Sequence, residues 1–468
     1  MSVGDFVLRF LPARLTDRIN AIPFGRRLAR GAFWTLFGTL ATRVVRIPIS
    51  VILARLMGAA EYGELGMTMG SIDLFMVFAG FGLGLTATKY IAEHRTRDPI
   101  RAGRIIAVST VVATISGAIF AVVMFLIAPW LADHTLSNHT LIVPLRIGAV
   151  ALFFSSVNGA QTGALYGFEA FRSAAWLQAI TGLLDFPFML GGFFLGGLDG
   201  VMWGIAISRF TAWMLIGSAL RTETRRHGIH VVLSHWKQEL EVLWHFSIPA
   251  ALAGVLVMPV NWICSTLLVN QPQGYASMGI YSAANQWYNS VIFLPTTLGA
   301  ALLPILSDRM GQKDGRSSGG ILRVMMKINA AIVIPAALVI SILSPWIMRL
   351  YGSSYANSAS TLVAVVLTAA IMGIISPVGD VIAASGRMWM GFLMNTGWAV
   401  VYIASTLLLI HLGALGLASS RLIAYTAHAI WTAAFAWMVI RTHRASQQAI
   451  GANAALQAEA SALTETHL

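Results

Sequence analysis

Long apolar stretches alternate with short polar loops along most of the chain. A helix rises about 1.5 Å per residue, so roughly 20 apolar residues are needed to cross about 30 Å of hydrocarbon. Twelve stretches reach that length, near residues 31–57, 65–92, 105–128, 141–168, 173–196, 200–221, 243–269, 275–304, 321–348, 357–384, 388–411 and 413–440. The pattern predicts an all-α integral membrane protein with about twelve transmembrane helices.

The second half of the chain repeats landmarks of the first half at a constant spacing, which we call the repeat offset. The pair Pro129-Trp130 at the end of the third stretch returns as Pro345-Trp346 at the end of the ninth. The same offset relates Gly163 to Gly379, Gly197 to Gly413 and Gly200 to Gly416. Each half holds an even number of spans and so begins and ends on one side of the membrane. The duplication predicts two parallel six-helix repeats, related by an axis along the membrane normal.

Basic residues are distributed unevenly among the loops. They precede the first span and follow the second, sixth and eighth spans, and this bias marks the cytoplasmic side. The remaining loops are short and contain only one basic residue, Arg349. These predicted outer loops are residues 58–64, 129–140, 197–199, 270–274 and 349–356. Both termini are therefore predicted to be cytoplasmic.

The spans and loops together predict five regions. Residues 1–30 form a basic interfacial segment in contact with membrane lipid, and they lack the apolar core of a removable signal peptide. Residues 31–222 form a first lobe and residues 243–440 a second, joined by a cytoplasmic linker at 223–242. Residues 441–468 form a cytoplasmic tail.

The composition agrees with a membrane protein. Hydrophobic residues make up 57% of the chain and charged residues 11%, against about 25% charged in soluble domains. The formal charge of +12 arises largely from basic residues in loops, so nucleic acid is not an expected partner. The single cysteine, Cys264, lies inside an apolar stretch and excludes a disulfide framework.

Two arginines lie near the middle of the first span, where a charge costs about 2.5–3.5 kcal/mol on insertion scales. Arg43 and Arg46 continue a stripe of hydroxyl side chains at helical spacing. A polar stripe is stable only against a water-filled cavity or against partners on other helices. We expect these arginines to line a cavity and bind substrate; a structural ion pair with Asp73 of the second span is the alternative.

Other embedded polar residues are also candidates, each with a structural alternative. Arg209 is a substrate-binding candidate and Asp185 a candidate for ion coupling, like Asp73, but a plain salt bridge between Asp185 and Arg209 explains them equally well. Arg146 and Arg421 lie toward span ends and are expected to reach the membrane interface. Two pairs of amides, one on the fourth span and one on the eighth, are each spaced for one face of their own helix, and helix-to-helix hydrogen bonding is their alternative role. They are Asn158, Gln161, Asn285 and Asn289.

Enzymatic signals are lacking in the sequence. No G-x4-G-K-[ST] pattern occurs, so ATP is not expected to drive the chain. His227, His230 and His235 lie in a basic loop without the cysteines or carboxylates of a metal site, and we expect a solvated loop. The short outer loops leave little room for the catalytic loop of a membrane glycosyltransferase. No catalytic residue, metal or cofactor is predicted.

Several segments resemble one transporter family. They are ILARLMGAAEYGELG at 52–66, GLGLTATKYIAEHR at 82–95, FSIPAALAGVL at 246–256, MGIYSAANQW at 278–287 and LLPILSDRMG at 302–311. Together they resemble the polysaccharide biosynthesis (oligosaccharide flippase) family of the multidrug, oligosaccharidyl-lipid and polysaccharide exporter superfamily. The resemblance covers about residues 31–440, and its most specific part runs from Leu53 to Gly63.

The resemblance implies a V-shaped transporter of the bacterial inner membrane, whose two lobes enclose a cavity. Such proteins carry polyprenyl-diphosphate-linked sugar units from the inner to the outer leaflet, and Arg43 and Arg46 match their basic cavity residues. A polysaccharide polymerase or assembly protein would be a further partner, and the chain is expected to act as a monomer. A multidrug exporter remains an alternative, although cationic drugs call for cavity carboxylates, and a lipid II flippase would be expected to have fourteen spans.

The repeat offset also indicates where the cargo's charge binds. Arg46 is equivalent to Trp262, and Asp73 to Asn289, so the second copy lacks both charges. We therefore expect the diphosphate to bind the first half of the chain.

Overall fold

The computed structural model describes residues 25–80, 82–233, 239, 256–311, 315–384, 388–435 and 437–438. Within these ranges all regular secondary structure is helical, as predicted. The predicted tail at 441–468 and most of the predicted N-terminal segment lie outside the described residues.

The helices follow the predicted apolar stretches. They are α1 (Gly25–Gly80), α2 (Leu83–His94), α3 (Pro99–Trp130), α4 (Ile142–Gly167), α5 (Phe171–Arg226), α6 (Val257–Val269), α7 (Gly274–Gly311), α8 (Gly315–Tyr351), α9 (Ala359–Ala384), α10 (Met388–Leu409) and α11 (413–435). Within the described ranges, seven helical segments are long and apolar enough to cross a membrane. The chain is therefore a multi-pass membrane protein.

Three of the seven segments are much longer than one crossing, and each contains a backbone break at glycine. Helix α1 breaks at Gly58, where φ is 76°. Helix α5 breaks at Gly197 with φ 56°, and the segment 389–435 breaks at Gly413 with φ 61°. Only glycine adopts such angles readily, and each break divides its segment into two span-length parts. The total of twelve spans stays a prediction, because residues 243–255 of the predicted seventh span lie outside the described part of the chain.

The two halves share local geometry at the predicted positions. Gly197 and Gly413, related by the repeat offset, have nearly the same φ. The tryptophans of the repeated Pro-Trp pairs are alike as well, since Trp130 is 60% exposed and Trp346 59% exposed. Equivalent positions thus keep equivalent backbone and surface properties, as a duplication requires.

The chain forms two compact units. Unit 1 contains residues 1–286, 348–358 and 410–417; unit 2 contains residues 287–347, 359–409 and 418–468. Short segments of the second half of the sequence thus belong to the unit formed by the first half. The lobe boundaries predicted from the sequence stay predictions.

Small residues allow the helices of unit 1 to pack at backbone contact. A Cβ on Gly163 of α4 would lie 2.1 Å from the carbonyl oxygen of Gly84 in α2. Thr88 donates a hydrogen bond across the same contact to the Gly163 carbonyl, at 2.9 Å. Close approach of this kind replaces the hydrophobic driving force that is missing between helices in lipid.

The predicted outer loops meet within unit 1. Asn138 donates to the Glu64 carboxylate at 2.9 Å, and Tyr275 donates to the Leu136 carbonyl at 2.7 Å. The side chain of Ser137 donates to that of Asn270. These bonds join the loops 58–64, 129–140 and 270–274, which the charge pattern assigns to one side of the membrane. We call this set of contacts the outer-loop network.

The loop at 349–356 packs against helix α1 in the same unit. The Tyr355 hydroxyl donates to the Ala54 carbonyl at 3.4 Å, and Ser50 and Tyr351 share a hydrogen bond of 3.3 Å. Burial, with a smaller contribution from Tyr351, raises the pKa of the Tyr355 phenol above its ordinary value. Tyr355 therefore remains a protonated donor throughout the physiological pH range.

Unit 2 is held by buried polar and aromatic contacts. Asn329 of α8 donates to the Gly373 carbonyl of α9 at 2.9 Å. Arg421 of α11 is only 7% exposed and lies over the Tyr288 ring, 4.1 Å from its centroid. The expectation that Arg421 reaches the membrane interface is wrong, because cation–π contacts with Tyr288 and Tyr425 hold it inside the unit.

Candidate functional site

Helices α1 and α5 position the charged candidates of the first half. Thr42 of α1 donates to the Gln178 carbonyl of α5 at 3.2 Å, and its side chain packs against Gly182. A Cβ on Gly38 would lie 2.7 Å from the Cα of Ala175. The two helices therefore run at backbone contact just before the positions that carry the embedded charges.

Asp185 and Arg209 form an ion pair on the two parts of α5. The Arg209 Nη2 atom lies 3.8 Å from Asp185 Oδ2, and the Ser208 hydroxyl donates to Asp185 Oδ1. Asp185 is only 5% exposed, and a buried carboxylate needs such partners to offset its lost hydration. The alternative of a salt bridge between Asp185 and Arg209 is therefore observed, and their roles in binding and ion coupling stay predictions.

Asn158 and Gln161 lie on α4 beside α5. The Asn158 amide donates to the Arg209 backbone carbonyl at 3.0 Å, so the alternative of helix-to-helix hydrogen bonding is observed for this residue. Gln161 is buried beside Gly217. Among the described residues, neither the Asn158 nor the Gln161 side-chain oxygen has a hydrogen-bond donor.

Arg46 and Asp73 lie on the two parts of α1, and both are exposed. The charges of Asp73 and Asp185 attract Arg46, whereas Arg209 repels it. Arg43 is half-buried one turn away and also repels Arg46. Across the described chain, Asp73 has no ion pair with an N–O distance of 4.0 Å or less. The alternative of a structural ion pair between Asp73 and the first-span arginines is therefore not observed.

Five predicted residues thus form one group, the charge cluster. Its members are Arg43, Arg46, Asp73, Asp185 and Arg209. Three cations and two carboxylates leave a formal excess of one positive charge. The exposed part presents Arg46 and Asp73, while Asp185 is enclosed. Guanidinium groups with excess positive charge favour an anion, and phosphate oxygens suit their paired donors.

Comparison with protein families identifies the family of this chain. The sequence profile of the polysaccharide biosynthesis protein family matches residues 28–310, which include the whole charge cluster. The chain belongs to the polysaccharide biosynthesis protein family. The profile of the MatE family matches residues 249–396.

Relatives of this family member are named as export proteins and flippases. The EPS I polysaccharide export inner membrane protein EpsE of Ralstonia nicotianae is 24% identical over 402 residues, covering 82% of this chain and 88% of EpsE. The lipid III flippase of Escherichia coli is 22% identical over 333 residues, covering 69% of this chain and 75% of the flippase.

Among solved structures, the chain is similar to a multidrug resistance MATE family transporter in an inward-facing conformation. The TM-score is 0.71 at 15% identity, covering 88% of this chain and 95% of the transporter. This likeness shows that the polysaccharide biosynthesis family member has a MATE-like transporter fold.

The remaining substrate-binding candidates, Asn285 and Asn289, lie on helix α7, whereas the charge cluster lies on α1 and α5. Asn285 is half-buried in unit 1, and Asn289 is exposed in unit 2. Their role in binding stays a prediction. No group of three potential metal ligands occurs among the described residues, and His235 lies outside them.

Two contacts of the site go beyond the sequence predictions. Ser208 adjoins Arg209, but a serine in a span carries no distinctive pattern that would mark it as a partner of Asp185. Trp262, the repeat equivalent of Arg46, donates from its indole Nε1 to Ser71 at 3.0 Å, two residues before Asp73. The repeat offset is the signal that could have indicated Trp262 as a neighbour of the site, since it relates Trp262 to Arg46.

Proposed function

We propose that the chain moves polyprenyl-diphosphate-linked oligosaccharide repeat units from the inner to the outer leaflet of a bacterial cytoplasmic membrane, for polysaccharide biosynthesis. The charge cluster binds the diphosphate, and the two halves expose it to each side in turn by alternating access. The observation that carries this proposal is the excess of arginine over carboxylate in a membrane-embedded cluster. The names of the relatives EpsE and lipid III flippase support it.

The charge of the cargo fits the composition of the cluster. A diphosphate diester carries two negative charges, and arginine can bind it through paired N–H donors. Arg46 is exposed and makes no hydrogen bond with any described residue, so its guanidinium group is available to a ligand. Arg43 lies one turn before it on the same helix, which gives a second cation within reach of the same headgroup.

The membrane potential would assist outward movement of this cargo. Moving one elementary charge through 100 mV is worth about 2.3 kcal/mol, so two negative charges leaving an inside-negative cell gain about 4.6 kcal/mol. The positions equivalent to Arg46 and Asp73 in the second half are neutral, so we expect the charge of the cargo to bind the first half.

Replacing the two arginines tests the proposal. Arg43→Gln and Arg46→Gln remove charge while retaining hydrogen-bonding amides, and Arg46→Lys retains the charge without the paired donors. In cells deleted for the native gene, we expect both glutamine variants to lose most surface polysaccharide and to accumulate the lipid-linked repeat unit. Arg46→Lys should give an intermediate level.

A matched control is available on the same protein. Arg221→Gln removes an exposed arginine at the end of α5, far along the sequence from the cluster residues of that helix, and should leave polysaccharide unchanged. Protein amounts in the membrane are compared by immunoblot. Normal polymer from both glutamine variants at normal protein levels contradicts the proposal, and uptake or export of a cationic drug that requires Asp73 would favour the multidrug alternative.

A further inference from the structure

The two carboxylates of the charge cluster have different surroundings. Asp185 is enclosed, with one carboxylate oxygen accepting from Ser208 and the other facing Arg209 at 3.8 Å. Asp73 is exposed, and no described side chain forms an ion pair or hydrogen bond with it. The two carboxylates of the cluster therefore have the same charge but lie in different environments.

Asp185 holds Arg209 at a fixed place. The Arg209 side chain is anchored by Asp185, and its backbone carbonyl is anchored by the amide of Asn158 at 3.0 Å. The side chain remains 28% exposed, so part of the guanidinium group still faces open space. An arginine with its position fixed loses less conformational entropy when it binds a ligand.

Asp73 acts on the same cations without contact. Its charge attracts both Arg46 and Arg209, yet the N–O separations exceed 4.0 Å in the described structure. A bound diphosphate would take up the donors of those arginines, and its oxygens would then lie in the field of the Asp73 carboxylate. Asp73 would repel the ligand and also compete with it for the arginines.

We propose that the two carboxylates act in opposite directions on one bound diphosphate. Asp185 is a positioning residue that makes Arg209 the third cation of the site, and Asp73 is an internal competitor that weakens binding and promotes release. The inference rests on the proposed function and adds a specificity and release element to it. A carrier needs such an element, because a site that binds its cargo too tightly cannot deliver it.

Binding to the purified full-length protein separates the two roles. The probe is geranylgeranyl diphosphate, and geranylgeraniol is the uncharged control for lipid-chain binding. We expect Asp73→Asn to bind the diphosphate about tenfold more tightly than wild type and Asp185→Asn to bind it about tenfold more weakly, each a change of about 1.4 kcal/mol. Asp133→Asn, in an outer loop, serves as the charge-matched control and should not change the dissociation constant.

A second variant guards against misfolding of Asp185→Asn. Ser208→Ala retains all charges and removes one anchor of Asp185, so it should weaken binding in the same direction by a smaller factor. Asp185→Glu should recover part of the affinity, which a loss of folding would not. In transport assays, Asp73→Asn should slow export although it binds the probe more tightly, because release becomes the slow step.

The outcomes distinguish the inference from the function on which it rests. If wild type and Arg46→Gln bind geranylgeranyl diphosphate equally, the proposed function fails. If binding depends on Arg46 but Asp73→Asn does not tighten it, Asp73 is no competitor and the inference fails alone. If Ser208→Ala and Asp185→Glu both bind like wild type while Asp185→Asn is stable and also binds normally, Asp185 does not position Arg209.

Discussion

The contact between α1 and α7 at Gly63 offers a direct test of the outer-loop network. A Cβ at Gly63 would lie 1.9 Å from the carbonyl oxygen of Tyr275 and 2.8 Å from the amide nitrogen of Gly279. The contact is reciprocal, since a Cβ at Gly279 would lie 1.9 Å from the Ala59 carbonyl oxygen. Both obstacles are helix backbone, so no side-chain rotation relieves the clash.

The geometry gives the size of the effect. Real Cβ contacts do not fall below 3.0 Å, so Gly63→Ala must separate the helices by about 1 Å. Overpacking of this kind costs about 1–3 kcal/mol, and the higher helix propensity of alanine returns about 0.5–1 kcal/mol. We expect Gly63→Ala to lower the free energy of unfolding by about 1–2 kcal/mol and to weaken the hydrogen bonds of the network.

Unfolding of the purified protein in mixed micelles measures this change. Gly191→Ala is the control, because a Cβ there meets nothing within 4 Å and its φ is not positive. The control gains the helix propensity without the clash and should be neutral or slightly stabilising. A Gly63→Ala protein as stable as the Gly191→Ala protein would show that the contact at Gly63 tolerates a methyl group without strain.

Three further changes probe the network and the helix boundaries. Cysteines at positions 137 and 270 are expected to form a disulfide on oxidation, because the native Ser137 and Asn270 side chains share a hydrogen bond. The disulfide should slow export until reductant is added. Cleavage of the chain between the two positions, followed by gel electrophoresis, shows whether the two fragments remain linked. Gly197→Ala and Gly413→Ala should each lower the unfolding free energy by about 1–2 kcal/mol, because both glycines adopt a positive φ. Asp98→Ala should lower it by about 1 kcal/mol, measured in the same way, since the Asp98 carboxylate caps α3.

The cross-link and the Asp98 change each have a control. The native Cys264 is buried, and either single cysteine variant should export normally in oxidant. Asp98→Asn retains an N-cap acceptor and should stay close to wild type. Export that continues unchanged in a fully cross-linked Ser137–Asn270 variant would show that the outer-loop network does not open during transport.

Much of the fold could be predicted because membrane insertion depends on local properties. The length and hydropathy of a stretch decide whether it can cross a bilayer, and neither quantity requires knowledge of its neighbours. The duplication was visible for a similar reason, since breaks such as those at Gly197 and Gly413 require glycine wherever the backbone turns out of the right-handed region. Arg43 and Arg46 could be identified as functional candidates because an embedded charge is costly in any helix.

The partners of each charge could not be read from the sequence. Whether Asp185 pairs with Arg209, and whether Asp73 contacts an arginine, depends on which helices lie side by side and at what rotation. Those relations are set by backbone contacts between residues far apart in the chain, such as Gly38 with Ala175. Arg421 illustrates the limit, since only the packing of α11 against Tyr288 decides that it is buried. The membrane class, the repeat and the embedded arginines follow from the sequence, whereas the packing of the helices sets how those charges are combined into a site.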